Sequence, residues 1–221
     1  MSDSSNPTPL VESRQAAIAK LAYAVHRPGS TALLCGPAGS GVSTVLSLLG
    51  RSPAFASRTC GVRPLADWCG SAKETPLPDI VLADDCHAGD AAAISALVTR
   101  CHRRSPAASL VLAGHGRLVS LVARDPDVED AVLLRAVLHP FTFAETRCVL
   151  DAILFDRHQF KFDEPDRECL ARTIHEIAAG IPAAISRLAE LATVVAADRP
   201  DRGLSAADIE AIHRRLGVRA A

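Results

Sequence analysis

Gly36-Pro37-Ala38-Gly39-Ser40-Gly41-Val42-Ser43-Thr44 lies between a short apolar run, Thr31–Cys35, and a run with helical spacing, Val42–Leu49. Glycine adopts left-handed backbone angles that other residues resist. Three of them here let successive N–H groups turn inward around an anion, and a helix opening directly after such a turn adds the partial positive charge of its N-terminus. Strand, glycine turn and helix in this order form a cradle for a phosphate group, with the Ser43 hydroxyl placed for a divalent cation such as Mg²⁺. The full spacing pattern is G-x-x-x-x-G-K-[ST]. Here Val42 stands at the lysine position, so the stretch alone reads equally well as a glycine-rich strand–helix turn that holds nothing.

A second segment bears on that choice. Asp79–Ala83 is the clearest buried strand of the chain and runs into Asp84 and Asp85. Acids at the carboxyl end of a buried parallel strand lie where α/β sheets bind ligands. Asp84 would hold Mg²⁺ through water, and Asp85 would orient or deprotonate an attacking water. The competing role for both is capping of the helix that follows. Ser109–Ala113 is another buried strand, and His115 just after it either hydrogen-bonds a phosphate or water, or caps the next helix.

The remaining pattern places these segments in a fold. Residues 10–27 read as an amphipathic helix with Val11, Ile18, Leu21, Ala22 and Val25 on one stripe. A weaker strand falls near Thr59–Val62, a short helix at Leu65–Gly70, a helix at Gly89–Arg103, a helical stretch through Ala123, and a last strand at Val132–Leu138. Strands that are nearly continuous in apolar residues and alternate with helices predict a parallel sheet covered on both faces. From Thr142 the period is helical only. Thr142 and Glu145 form a capping box, Leu170, Ile174 and Ile177 stripe a helix that stops at Gly180, and two further helices follow. The expected organisation is a disordered stretch at 1–9, an α/β core at 10–141 and a helical lid at 142–221.

Composition narrows the function classes. The 221 residues carry 24 Lys and Arg against 25 Asp and Glu, a formal net charge of -1, so no global field draws the chain to nucleic acid or to an acidic membrane. Arg100, Arg103 and Arg104 make a local basic helix end, of the kind usually found solvated and favoured by the helix dipole. No run reaches the ~18 apolar residues of a membrane span, and the polar start of the chain shows no export signal, so a cytoplasmic protein is expected. Its seven cysteines then read as free thiols. Cys86-His87 and Cys101-His102 bracket a helix that would hold them ~18 Å apart, too far for one zinc ion.

The ordered segments resemble the ExeA-like branch of AAA+ ATPases, the general secretion pathway group. Residues 10–44 are similar to the start of that domain. LVLAGHGRL (residues 110–118) resembles its fourth strand and sensor-1 segment, VLLRAVLHPFTFAETRCVL (132–150) the passage from its fifth strand into the lid, and TIHEIAAGIPAAISRLAELA (173–192) its sensor-2 helix. Transposition helper ATPases share much of the pattern. The resemblance implies a P-loop NTPase fold, a three-layer parallel-sheet core with a C-terminal all-helical lid. It also implies ATP or ADP with Mg²⁺ as cofactor, Gly36–Thr44 and Asp84–Asp85 as the nucleotide site, and a protein partner or self-assembly. It equally shows what is missing. Lysine is expected at Val42, the finger arginine falls on Ala131 with Arg135 four places late, and the sensor-2 arginine falls on Ala183. The expectation is a weak or non-hydrolysing nucleotide binder acting through assembly; the alternative is an active ATPase that uses a substitute cation.

Overall fold

Ile80, Val81, Leu82 and Ala83 are all fully buried, yet they feed two different apolar layers. Ile80 and Leu82 join one and Val81 and Ala83 the other, as the two-residue period of a strand covered on both faces requires. The computed structural model describes residues 9–70, 76–104, 106–155, 164–197 and 204–217. The expected disordered stretch at 1–9 falls outside the described residues except for its last position. By contacts the chain divides into a unit of Ser13–His139 and a unit that runs from Pro140 onward and takes in the described residues before Ser13.

In the first unit, β1 (Thr31–Cys35), β2 (Cys60–Pro64), β3 (Ile80–Asp84), β4 (Ser109–Gly114) and β5 (Val132–Val137) form a parallel sheet in the order β2-β3-β4-β1-β5. α1 (Glu12–His26) and α2 (Val42–Gly50) cover one face with Leu21, Val25, Leu46 and Leu49. α3 (Leu65–Cys69), α4 (Ala91–Arg103), α5 (Arg117–Val122) and α6 (Pro126–Ala131) cover the other with Trp68, Leu97, Leu121 and Val128. Each large apolar side chain so buried stabilises the fold by about 1.5–3 kcal/mol. α6 was absent from the expected elements; Asp125 caps it through bonds from the Asp127 and Val128 N–H groups. The buried stripe of α1 also differs from expectation, since it takes in Arg14, Ala17 and Ala24, while Ile18 and Ala22 are only half-buried.

The sheet's amino-terminal end is locked by polar groups. Arg58 donates to the carbonyls of Val25 at 2.6 Å and Asp79 at 3.0 Å, and to Ser109 Oγ at 3.1 Å. The Asp79 carboxylate accepts the Thr59 N–H and hydroxyl, each at 2.9 Å, and pairs with Arg104 at 2.9 Å. The Thr59 N–H, and after it the Arg104 guanidinium, pull the Asp79 carboxyl down to about 2 from 3.8.

The second unit is helical: α7 (Phe143–Leu150), extended by a π-helical turn at Asp151–Phe155, then α8 (Glu164–Ala178), α9 (Pro182–Ala197) and α10 (Ala206–Gly217). The Thr142–Glu145 capping box is present in both directions. Leu170, Ile174, Ile185, Leu188 and Ile209 build the core. Gly180 sits at φ +69, and a Cβ there would lie 2.5 Å from the Phe141 carbonyl, whose own N–H donates to Gly180 O at 2.7 Å. α8 ends at Ala178, the chain turns left-handed through Ala179 at φ +49 and Gly180, and the close approach to Phe141 leaves no room for a side chain at the glycine. Among the described residues no helix is long and apolar enough to cross a membrane.

Because its carboxyl is depressed in the folded state, Asp79 stabilises the fold above its unfolded value near 3.8, and that stability is lost as pH falls through about 2. Asp79→Asn is expected to cost about 1 kcal/mol at pH 7, the worth of a partly exposed charge. The difference from the parent chain should vanish between pH 4 and 2. Urea unfolding across that range checks it, and a pH-independent difference would refute the assignment.

Candidate nucleotide site

The registers bring the ends of three strands to one edge. Cys35 is level with Gly114 on β4 and with Val137 on β5, and Ala83 is level with Leu112, two residues before Gly114. The glycine loop, Asp84-Asp85 and His115 therefore all emerge on the carboxyl side, the side on which open α/β sheets bind ligands.

The loop is wound as a cradle. Gly39 and Gly41 sit at φ +77 and +89. The Ser40 N–H donates to Pro37 O at 3.1 Å, and the Gly41 carbonyl receives the Val45 N–H at 2.9 Å to start α2. No side chain caps α2 at Gly41, which leaves the first-turn N–H groups to face whatever enters the loop. Pro37, Ala38, Gly39, Ser43 and Thr44 are exposed. Ser40 is buried and its Oγ has no hydrogen-bond partner. A Cβ at Gly36 would lie 2.5 Å from that Oγ and 3.0 Å from the carbonyl oxygen of Leu138. The backbone and the Ser43 hydroxyl thus fit a phosphate group with its Mg²⁺, in kind if not in charge. Val42 is 3% exposed and packed in the layer of Val45, Leu46 and Leu49, so its position supplies apolar contact and no cation.

A cation does reach the loop, from a residue the sequence pattern did not single out. Arg14 on α1, buried at 5% exposure, donates to the carbonyls of Ser40 at 2.7 Å and His139 at 3.0 Å, and to Ser13 Oγ at 3.2 Å. It grips the loop from behind through a carbonyl. Its distinguishing partners lie 26 and 125 positions away, and helical periodicity carries no sign of them.

At the end of β3, Asp84 is half-buried and its Oδ1 accepts the Asp85 N–H at 2.8 Å. Asp85 is exposed and held at φ +53, a left-handed conformation that aspartate tolerates better than most residues. Neither acid caps α4; Asp90 does so, accepting the Ala93 N–H at 2.7 Å. Both carboxylates thus stay at the strand end. His115 does not cap with its side chain either, since α5 starts after Gly116 with no side-chain cap. Instead His115 faces His87, another residue sequence reasoning did not connect to the site. Their ring centroids lie 4.1 Å apart, and the Nδ1 atom of each is buried without a hydrogen-bond partner.

The two Cys-His pairs sit at opposite ends of the sheet. Cys86 and His87 follow β3, whereas His102 Nε2 is 3.2 Å from Thr31 Oγ1 at the start of β1. Burial pushes the Cys86 and Cys101 thiols up to about 12, so neither supplies a thiolate near neutral pH. Of the remaining positions considered for phosphate contact, Ala131 ends α6, Arg135 is paired with Glu129, and Ala183 is exposed in the first turn of α9.

Strand order, sheet layers and helical C-terminal part define the AAA+ P-loop NTPase fold. The chain is similar to the Thermotoga maritima RuvB Holliday junction branch migration motor, at 14% identity and TM-score 0.66 over 95% of this chain and 72% of that one. It is likewise similar to the Aeropyrum pernix ORC2 protein in its ADPNP-ADP complexes, at 14% identity and TM-score 0.67 over 94% and 69%. At such identities the likeness is one of fold. No protein-family model and no curated protein matches the chain.

The crowding at Gly36 gives a direct check on the loop. Gly36→Ala is expected to lower stability by about 1–3 kcal/mol, the usual cost of overpacking. Gly116→Ala, with nothing within 4 Å of its Cβ, should stay within about 0.5 kcal/mol of the parent. Chemical denaturation of both variants decides it; equal effects would mean that the loop is not wound as described.

Proposed function

We propose that the chain is a degenerate AAA+ protein of the ExeA-like type, which binds ATP or ADP with Mg²⁺ weakly or not at all and acts through assembly with a protein partner or with itself. The observation that carries this reading is Val42, buried in the α2 layer at the position where the loop pattern carries lysine. On this reading the backbone of Gly36–Thr44 would hold the phosphates, Ser43 and Asp84 the Mg²⁺, and Asp85 and His115 the water. The group bound there would supply an anhydride bond for hydrolysis. The chain's own residues supply donors, carboxylates and shape, but little positive charge.

Magnitudes favour weak function. One charge pair at ~4 Å contributes up to about 4 kcal/mol at an effective dielectric near 20, roughly three decades in affinity or rate at ~1.36 kcal/mol per decade. An arginine finger adds about 10³–10⁵ in turnover, and the position that would carry it is Ala131. The alternative is an active ATPase with a substitute cation. Arg14 is the arginine at the loop, but both of its terminal nitrogens are directed to carbonyls or to Ser13. A substitute would therefore come from a neighbouring subunit.

Isothermal titration with ATP and Mg²⁺, paired with turnover measured across protein concentration, separates the two. The expected result is binding weaker than micromolar, with no turnover that grows with concentration; micromolar affinity with brisk, concentration-dependent hydrolysis overturns the proposal. Val42→Lys is expected to tighten binding by tenfold or more. An unchanged titration would mean that the cradle cannot admit a phosphate at all.

A further inference from the structure

A groove of about 1220 Å³ is lined by the outer face of α4 together with Leu77 and the turn carrying Arg124 and Pro126. Its floor is made of small side chains, Ala92, Ser95, Ala96 and Thr99, at helical spacing, while the opposite face of α4 (Ile94, Leu97, Val98, Cys101) is buried in the core. Its rim carries Arg100, Arg103, Arg104 and Arg124.

These guanidinium groups are not equivalent. Arg104 pairs with Asp79, and Arg100 donates to Trp68 O at 3.0 Å. Arg103 and Arg124 are exposed and make no hydrogen bond or ion pair with any described residue. The carboxylate within the groove, Asp125, already accepts the Asp127 and Val128 N–H groups that cap α6. With the charges of Asp79 and Asp125 set against the four arginines, the groove keeps a surplus of positive charge on a chain whose formal charge is -1.

We infer that this groove is a docking site for an acidic helical segment of a protein partner. The small floor lets a second helix approach to the ~8 Å interaxial distance of helices that meet through small side chains. From Ala92 to Arg103 the floor rises ~16 Å, room for about three turns. Carboxylates three or four residues apart on such a helix stand one above the other on one face, a row of anions turned toward the arginines of the groove. A nucleic-acid backbone is the poorer occupant. Its closely spaced phosphates call for a run of unpaired cations, and here two guanidiniums without a partner among the described residues stand beside a floor of small side chains, Ala92, Ser95, Ala96 and Thr99. The inference does not depend on whether the glycine loop holds nucleotide.

Fluorescence anisotropy of the full chain tests it with three probes: a 14-residue helical peptide of glutamates four apart with alanines between, its lysine counterpart, and a 30-base-pair DNA duplex. The acidic peptide is expected to bind, more weakly as salt rises, and the lysine peptide not to. Arg103→Glu combined with Arg124→Glu should weaken binding at least tenfold. Ala96→Trp, which fills the floor and leaves every guanidinium in place, should weaken it comparably. All three positions are exposed, and circular dichroism confirms the fold. No binding of the acidic peptide, binding unchanged in the charge-reversed variant, binding that survives Ala96→Trp as plain charge attraction would, or binding of the duplex alone would each overturn the inference.

Discussion

The loop between β1 and α2 depends on a passage too narrow for a side chain. At Gly36 the backbone slips between Ser40 Oγ and Leu138, the residue after β5, with no room for a Cβ. Arg14 then fixes the far end of the same turn by bridging the carbonyls of Ser40 and His139. Hydrogen bonds from a charged donor are worth about 1.5–3 kcal/mol each. The cradle is thus held by its own interior, and its shape would persist whether or not an anion ever entered it.

Val42 follows from the same arrangement. A residue opening α2 above the sheet must place its stem in the layer formed by Val45, Leu46 and Leu49. A lysine can lie along that layer with its aliphatic part and carry its ammonium outward. Valine fills the layer and ends there. For packing the exchange is harmless, since the buried methyl groups contribute about as much as any other core residue. For a phosphate it removes the strongest local charge. Fold and charge are therefore separable at this position.

How much of this was legible in the sequence depended on the distance over which each interaction acts. The strands expected at Asp79–Ala83 and Ser109–Ala113, observed at Ile80–Asp84 and Ser109–Gly114, were evident because burial on both faces demands unbroken apolar runs. The box at Thr142 and Glu145 was evident because its partners are three residues apart. The glycine loop does follow β1, and Asp84 and Asp85 do stand at the end of β3, with Asp84 inside the strand. What escaped notice was long-range or locally ambiguous. Arg14 looks like a polar interruption of an apolar stripe, and its meaning lies in Ser40 and His139. Ala131 closes a short helix, α6, whose six residues are too few for a periodic run to show. His87 was weighed only with Cys86 as part of a metal set, although its ring lies 4.1 Å from that of His115, just after β4.

The fate of the arginines ties these threads together. Several of the described ones are turned to structure: Arg14 and Arg58 grip main-chain carbonyls from buried or half-buried positions, Arg104 holds Asp79 and Arg135 holds Glu129. A guanidinium bound to a carbonyl neutralises no anion, and one bound to a carboxylate is already neutralised. Counting charged residues near a motif therefore overstates the positive charge available to a ligand. What matters is where donors remain unsatisfied. In this unit such groups occur on the face of α4 as well as at the glycine loop, and at the loop they are neutral N–H groups. A partly buried N–H array without a cation discriminates by shape more than by charge. The persistence of the glycine pattern is thus weaker testimony to nucleotide chemistry than the motif alone implies, because the residues that shape the cradle are the ones that let β1 and α2 pack.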